Sequence, residues 1–403
     1  MFNLTPMIRT AFLFILFAAF FAGTSTAQLA VKADTVYTMN NQKITNGVVL
    51  IDNNKIESVG SASDIQIPGN YTVHEASVIT PGLIDAHSVV GLAGIYNSDS
   101  DQDQLEESNA VQPELRAIDA YNAREELVTF LMNKGITTVH TGHGPGALAS
   151  GQTLIAKTSY NTVDKAVVDS STMVAFTLGN SVSSNYSSPG TSAKGMAILR
   201  QQFINAQEYA EKRNSDEAPP ENLSMEVMAD VLEGKITALI TAQTAQEILS
   251  AFRLKDEFGF DMVLDGAAEA YLVMDEIKAA DVPVIIHPTM VRTNGSTKNA
   301  SFETAGKISK AGIPLAFQSG YEGYVPKTRV VLYEAALATA NGLNRRAALR
   351  ALTIEAAKIL GIDQQVGSIE EGKDADIVLY DGDPFEYRTH ISKVIIDGKV
   401  VKE

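Results

Sequence analysis

Six histidines and no cysteine limit the chemistry this chain can do. Without a thiol there is no thiolate nucleophile, no disulfide and no cysteine-ligated metal. Four of the histidines close or follow apolar, strand-like runs. His87 ends "VITPGLIDAH", His140 and His143 stand in "TTVHTGHGPG", and His287 ends "VPVIIH". Asp265 closes "FDMVLD" in the same way, and Lys157 closes "GQTLIAK". Imidazole nitrogen and carboxylate oxygen suit a divalent ion such as zinc, or the transfer of a proton. No spacing forces these groups together, since each sits on a different run. The competing reading is a set of polar side chains at the wet end of a sheet, bonded to loops. His74 and His390 fall in segments near the chain ends and read as structural or surface residues.

Other chemistries are excluded by pattern. Serines are plentiful, but none lies in a nucleophile elbow. "DSDQDQLEE", Asp99 to Glu107, opens like a calcium loop, yet Gln104 and Ala110 occupy the positions that need glycine and a bidentate glutamate. "GHGPGALASGQ" and "QSGYEGY" allow close backbone approach but match no phosphate-binding pattern.

Around these residues the elements are readable. Residues 28–80 alternate polar and apolar positions between Asn-Asn and Gly turns, and residues 363–403 return to that texture in "DADIVLYDGDPF" and "ISKVIIDGKVVKE". Between them, residues 81–362 alternate strand-like runs with helical segments at 195–212, 245–257, 269–279 and 328–340. Such alternation predicts an α/β fold, a (β/α)8 TIM-like barrel on parallel strands, beside a small β-sandwich formed by the two end segments. Conserving the catalytic face of such a barrel would place His87, Asp265 and His287 on one rim.

Residues 1–27 predict a cleavable signal peptide. Arg9 precedes an apolar run too short to span a bilayer, and small residues at Ser25 and Ala27 mark a cleavage site after Ala27. The expected location is a periplasm or the outside of the cell. The formal charge of -16 becomes -17 once Arg9 leaves with the leader. So acidic a chain is expected to avoid nucleic acid, and membrane surfaces after cleavage.

"PGLIDAH" opening the barrel, "ALRALTIEAAKILGI" late in it and "VGSIEEGKDADIVLYDGDPF" near the end together resemble the amidohydrolase superfamily, in its exported imidazolonepropionase-like branch. The resemblance spans nearly the whole mature chain. It implies a metal-dependent hydrolase of C–N bonds in cyclic amides or peptide-like substrates, with one or two divalent ions at the barrel mouth activating water. It also implies two histidines on the first strand, often a lysine on the fourth, histidines on the fifth and sixth, and a general-base aspartate on the eighth.

Carried over by position, the set is depleted. His87 is in place, but Val89 occupies the second position, Ala175 stands near the lysine, Thr241 at the fifth-strand histidine, and Asp265 at the sixth. On the eighth, Gln318 or Ser319 replaces the aspartate, with Tyr321 and Glu322 the nearest polar substitutes. Two functional readings follow. The favoured one is a weakly active or non-catalytic subunit that binds a small-molecule or peptide-like ligand, as a homodimer or with an intact relative, and needs no cofactor. The other is an active amidohydrolase with a mononuclear site for one divalent ion, zinc, on His87, Asp265 and His287. Asp265 and Glu322 are then its catalytic candidates, and His140, His143, Lys157 and Ser319 its pocket.

Overall fold

A computed structural model describes residues 28–40, 43–96, 98–213, 215, 218–321 and 330–402. The expected signal peptide and Glu322 lie outside the described residues. Strands β1 (Gln28–Tyr37), β2 (Lys43–Asp52), β3 (Lys55–Ser61) and β4 (Thr72–Pro81) come first, and β4 leads through Gly82 into the barrel. Only glycine fits there, because a Cβ on Gly82 would lie 2.1 Å from Thr137 Oγ1.

The barrel strands are β5 (Leu83–Ser88), β6 (Ile136–Thr141), β7 (Ala149–Gln152), β8 (Leu154–Lys157), the short β9 (Val167–Asp169), β10 (Met173–Thr177), β11 (Thr237–Ala242), β12 (Met262–Gly266), β13 (Val284–Ile286) and β14 (Leu315–Phe317). β7 and β8, divided only by Thr153, act as one stave, pairing with β10 through β7 and with β6 through β8. A parallel bridge from Ser88 to Gly320 sets the last stave beside the first. Helices pack outside, among them Ser192–Lys212 and Ala245–Phe258. The second begins with a Thr244/Glu247 capping box and ends at Gly259 in the left-handed conformation. The expected helix over 269–279 is instead a 3-10 turn, Ala270–Leu272, and a short helix, Met274–Ala279.

One stave departs from the parallel expectation. β7 and β8 run antiparallel to both neighbours. The segment 142–148 that precedes them holds no helix, and a parallel return needs a long crossover whereas an antiparallel one does not.

Along β10 to β14 the two-residue repeat of a strand sorts the side chains. Met173, Leu239, Val263, Ile285 and Ala316 join Ile84 and Ile155 in one buried interior layer. Two residues further along β11 to β14, on the same face, stand Thr241, Asp265, His287 and Gln318. The opposite faces, with Phe176, Ile240, Leu264 and Phe317, pack under the helices.

After the barrel come β15 (Ile377–Tyr380), β16 (Ile391–Ile396) and β17 (Lys399–Lys402). The two end segments pair as expected, in one seven-stranded sheet ordered β17-β16-β15-β4-β1-β2-β3. It curls, because its β3 edge bonds to the segment before β15: Ile56 N donates to Lys373 O and Ala375 N to Asn54 O, each at 2.9 Å. Val31, Val49, Ile51, Ile79, Ile369, Ile377 and Ile395 fill the concave side. Among the described residues no helix is long and apolar enough to cross a membrane.

Candidate functional site

Asp265 is the centre of the barrel mouth. It is fully buried at the end of β12 and accepts four hydrogen bonds. His87 Nδ1 (3.0 Å) and Gln318 Nε2 (2.8 Å) donate to Oδ1, and Thr241 Oγ1 (2.7 Å) and Tyr321 OH (2.5 Å) donate to Oδ2. The donors come from three staves, His87 from β5, Thr241 from β11, and Gln318 and Tyr321 from the segment after β14, so only the closed barrel brings them together. Thr241 lies directly opposite Asp265 in the β11–β12 register. Burial alone would raise the Asp265 pKa, but the facing His87, its hydrogen bond and the two hydroxyls outweigh that and hold it below the ordinary carboxylate value. The Tyr321 hydroxyl is pushed well up, by burial and by the carboxylate it meets.

The two mouth histidines are oriented alike. His87 gives its Nδ1 to the Asp265 carboxylate, and His287 gives its Nδ1 to the Gly266 carbonyl at 3.1 Å. In both, Nε2 is buried and has no hydrogen-bond partner. Burial lowers the His287 pKa to about 4. His140 differs: its Nδ1 donates to the Ala86 carbonyl at 2.6 Å and its Nε2 lies 2.7 Å from Thr153 Oγ1. With both nitrogens committed, and its pKa lowered to about 3 by burial and by the nearby His87, it braces β6 against β5 and the third stave. Its ring centroid lies 5.6 Å from that of His87. His143 is buried in the loop after β6, bonds to none of these groups, and has a pKa lowered by burial to about 4.

Asp85, one turn of the strand below His87, is fully buried and accepts the Ser319 backbone N–H at 3.0 Å. Burial raises its pKa to about 7. Ser319 thus reaches the site through its backbone. At the fourth-strand position, Ala175 pairs with Leu239, one layer too deep; Thr177, opposite Thr241, is level with the centre. Its hydroxyl accepts from Gly146 N at 3.0 Å.

Lys157 is not at the mouth. Because β8 runs antiparallel, its last residue pairs with Thr138 near the start of β6, which puts it at the barrel base. There its ammonium bonds to Asp374 (2.7 Å), Asp376 (3.3 Å) and Asp397, and Tyr160 OH donates to Asp397 at 2.6 Å. Burial opposes the lysine's charge, but the carboxylates outweigh it and raise the pKa. Asp376 is raised to about 6 by burial. His390, as expected of a surface residue, is exposed and faces Asp381 at 3.2 Å.

Among the described residues the mouth does not make up a metal site. Among the described residues no three His, Asp or Glu side chains are grouped to hold an ion. Asp265 has each oxygen already accepting two bonds, leaving the Nε2 atoms of His87 and His287 as the unpartnered ligand atoms. A divalent ion takes at least three protein ligands at such a centre, so these residues do not fit one. Thr241, Gln318 and Tyr321 complete the network; the sequence places Thr241 and Gln318 at strand ends and Tyr321 in the Gly-rich stretch beyond, and does not show their common target.

A family model described as the amidohydrolase family matches residues 195–402. An amidohydrolase of Hapsidospora irregularis is 23% identical over 398 residues, covering 87% of this chain and 39% of its own length. The chain therefore spans about two fifths of that curated relative. The imidazolonepropionase of Thermoplasma volcanium is 47% identical over 60 residues, 13% of this chain and 15% of that protein. The crystal structure of an amidohydrolase from Thermotoga maritima MSB8 superposes with a TM-score of 0.86 at 28% identity, over 93% of this chain and 99% of that one.

Proposed function

Because the chain belongs to the amidohydrolase family, we propose that it is an exported member in which the barrel mouth serves to bind a small-molecule or peptide-like ligand and not to hydrolyse it with a metal. One observation carries this reading: the Asp265 carboxylate, at the sixth-strand ligand position, is consumed by four internal donors. Hydrolysis of an amide needs an activated water and a group to take its proton. Here the carboxylate orients His87 instead, and the eighth-strand position holds the uncharged Gln318, itself one of the four donors. A buried network that satisfies its own carboxylate holds its geometry without an ion. Pairing with a second copy or with an intact relative belongs to the same proposal.

A second reading has one feature in its favour. An imidazole whose Nδ1–H is held by a carboxylate or a carbonyl, with Nε2 open, is the usual posture of a metal-ligating histidine, and His87 and His287 both adopt it. That reading is a hydrolase with one divalent ion on those nitrogens.

Metal content separates the two. The chain, produced in cells grown with zinc, manganese and iron and passed through gel filtration, is expected to carry well under one equivalent of metal. Near one equivalent, lost in His87→Ala, overturns the proposal.

A further inference from the structure

Away from the mouth, a cleft of about 690 Å³ lies where the barrel meets the segment between β15 and β16. Its walls come from the end of the helix Glu126–Asn133, the start of the helix Val331–Ala340, the segment 384–391 and the last residue of β17. Three cations line it: Lys134, Arg388 and Lys402. In a chain with 48 acidic against 32 basic residues, a cation has carboxylates to spare, and Arg213 gathers Glu226, Asp230 and Glu233. Among the described residues, none of the three cleft cations has an ion-pair partner. The Lys402 ammonium donates to the Asn133 carbonyl at 2.9 Å and to the Ile391 carbonyl at 3.1 Å. Those two bonds fix it between the walls and leave one of its three N–H donors over. Lys134 Nζ stands 5.7 Å from the centre of the Phe130 ring. Burial, and after it the charge of Lys134, lower the Lys402 pKa. Glu386 is the one carboxylate among the lining residues, and it faces Arg345 at 4.0 Å.

Like charges held around one cleft repel until a counter-charge enters. A second copy docking through the same face would set cations against cations, and a neutral ligand would leave the repulsion as it is. A small anion with two or more negative charges answers all three cations at once. The Arg388 guanidinium can take two oxygens of one carboxylate or phosphate side by side, and the two ammonium groups act as point charges beside it. Tyr387, almost wholly exposed, and the half-exposed Tyr333 add rigid walls for the body of such a ligand. The volume, about 690 Å³, falls within the range of about 300–1,000 Å³ that small-molecule sites occupy. We infer that this cleft binds a small multivalent oxyanion, a polycarboxylate or a phosphate, held by Lys134, Arg388 and Lys402 between the barrel and the sheet. It shares no residue with the mouth, so its fate and that of the reading made there are decided separately.

The test is calorimetry on the full mature chain at constant ionic strength, titrated with propane-1,2,3-tricarboxylate and with pyrophosphate, and with acetate as the monovalent control. Saturable binding of either multivalent anion, tighter than acetate and weakened about tenfold in Arg388→Gln or Lys402→Met, supports the inference, the loss matching one charge-assisted hydrogen bond. Whichever anion binds more tightly names carboxylate or phosphate as the head of the ligand. Either variant suffices if the other does not fold. Lys278→Gln removes an exposed cation of the helix Met274–Ala279, outside the cleft, and should keep the binding. No saturable binding of either multivalent anion, an equal loss in Lys278→Gln, or binding that survives both cleft variants overturns the inference.

Discussion

At the base of the barrel one lysine is ringed by three carboxylates; at the mouth one carboxylate is ringed by four donors. Both clusters are buried and both join staves that are distant in sequence. At the base the Lys157 ammonium has its three N–H donors matched to Asp374, Asp376 and Asp397, with Asp376 Oδ2 left without a hydrogen bond, and those aspartates come from the curled sheet. It is a clamp between sheet and barrel. The mouth satisfies its carboxylate but leaves imidazole and amide atoms open. A cluster that closes on itself serves the fold, and one that remains open on one side has the means to meet a ligand.

The strongest way to break this contrast is Lys157→Met. Removing the one cation leaves three carboxylates facing one another, and loss of one partner from a buried ion cluster costs about 3–5 kcal/mol. Urea unfolding should report a loss of that size. Ligand binding at the mouth should persist in whatever fraction stays folded, and its loss at unchanged stability would show that the two ends are not separate.

Titration sharpens the contrast because the two ends have opposite signs. His140 has its pKa lowered to about 3, so its contribution is fully present above the unfolded value near 6.5 and is lost as pH falls. Between pH 6.5 and 4 it should weaken the fold by about 3 kcal/mol. His140→Gln, which keeps a donor for Ala86 O and an acceptor for Thr153, should flatten that slope in chemical unfolding run at stepped pH. A slope that does not change would remove His140 from the account. At the base, Asp376 has its pKa raised to about 6. Its contribution is present below the unfolded value near 4 and is lost as pH rises to about 6, by about 3 kcal/mol. Asp376→Asn should abolish that loss on the same stepped-pH series, and an unchanged profile would show that Asp376 stays ionised.

The smallest expected effect is that of Thr241→Val. It removes one of four donors to the Asp265 carboxylate without changing shape, and should cost about 1.5–3 kcal/mol in thermal or urea unfolding. A loss several times larger would mean that the four bonds act as a unit, which a double-mutant cycle with Gln318→Met would measure.

Much of this architecture could be read along the chain. The strand-like runs ending at Thr241, Asp265, His287 and Gln318 are strands, and these residues sit on one interior face at the mouth, because the period of two that marks a strand also fixes which way its last side chain points. The pairing of the two end segments was legible for the same reason. The sequence points Lys157 to the mouth, and the structure puts it at the base, because "GQTLIAK" has the same period in either direction. Strand periodicity carries no polarity, and only the short helix-free connection, read against the whole barrel, shows that the stave runs backward. The curled sheet escaped for a related reason: the β3 edge meets Lys373 across more than three hundred residues, and no local pattern encodes that contact.

What the sequence determined by itself was the set of elements, the family, and the absence of the second histidine beside His87 and of an aspartate at the eighth stave. Those follow from residue type and local period. Tertiary structure alone decided that Asp265 is a hub for four donors and that Lys157 belongs to the base. Both depend on the direction and stagger of strands closing around a common axis, and hydrogen-bond partners across a barrel are chosen by that closure, not by neighbours in the chain.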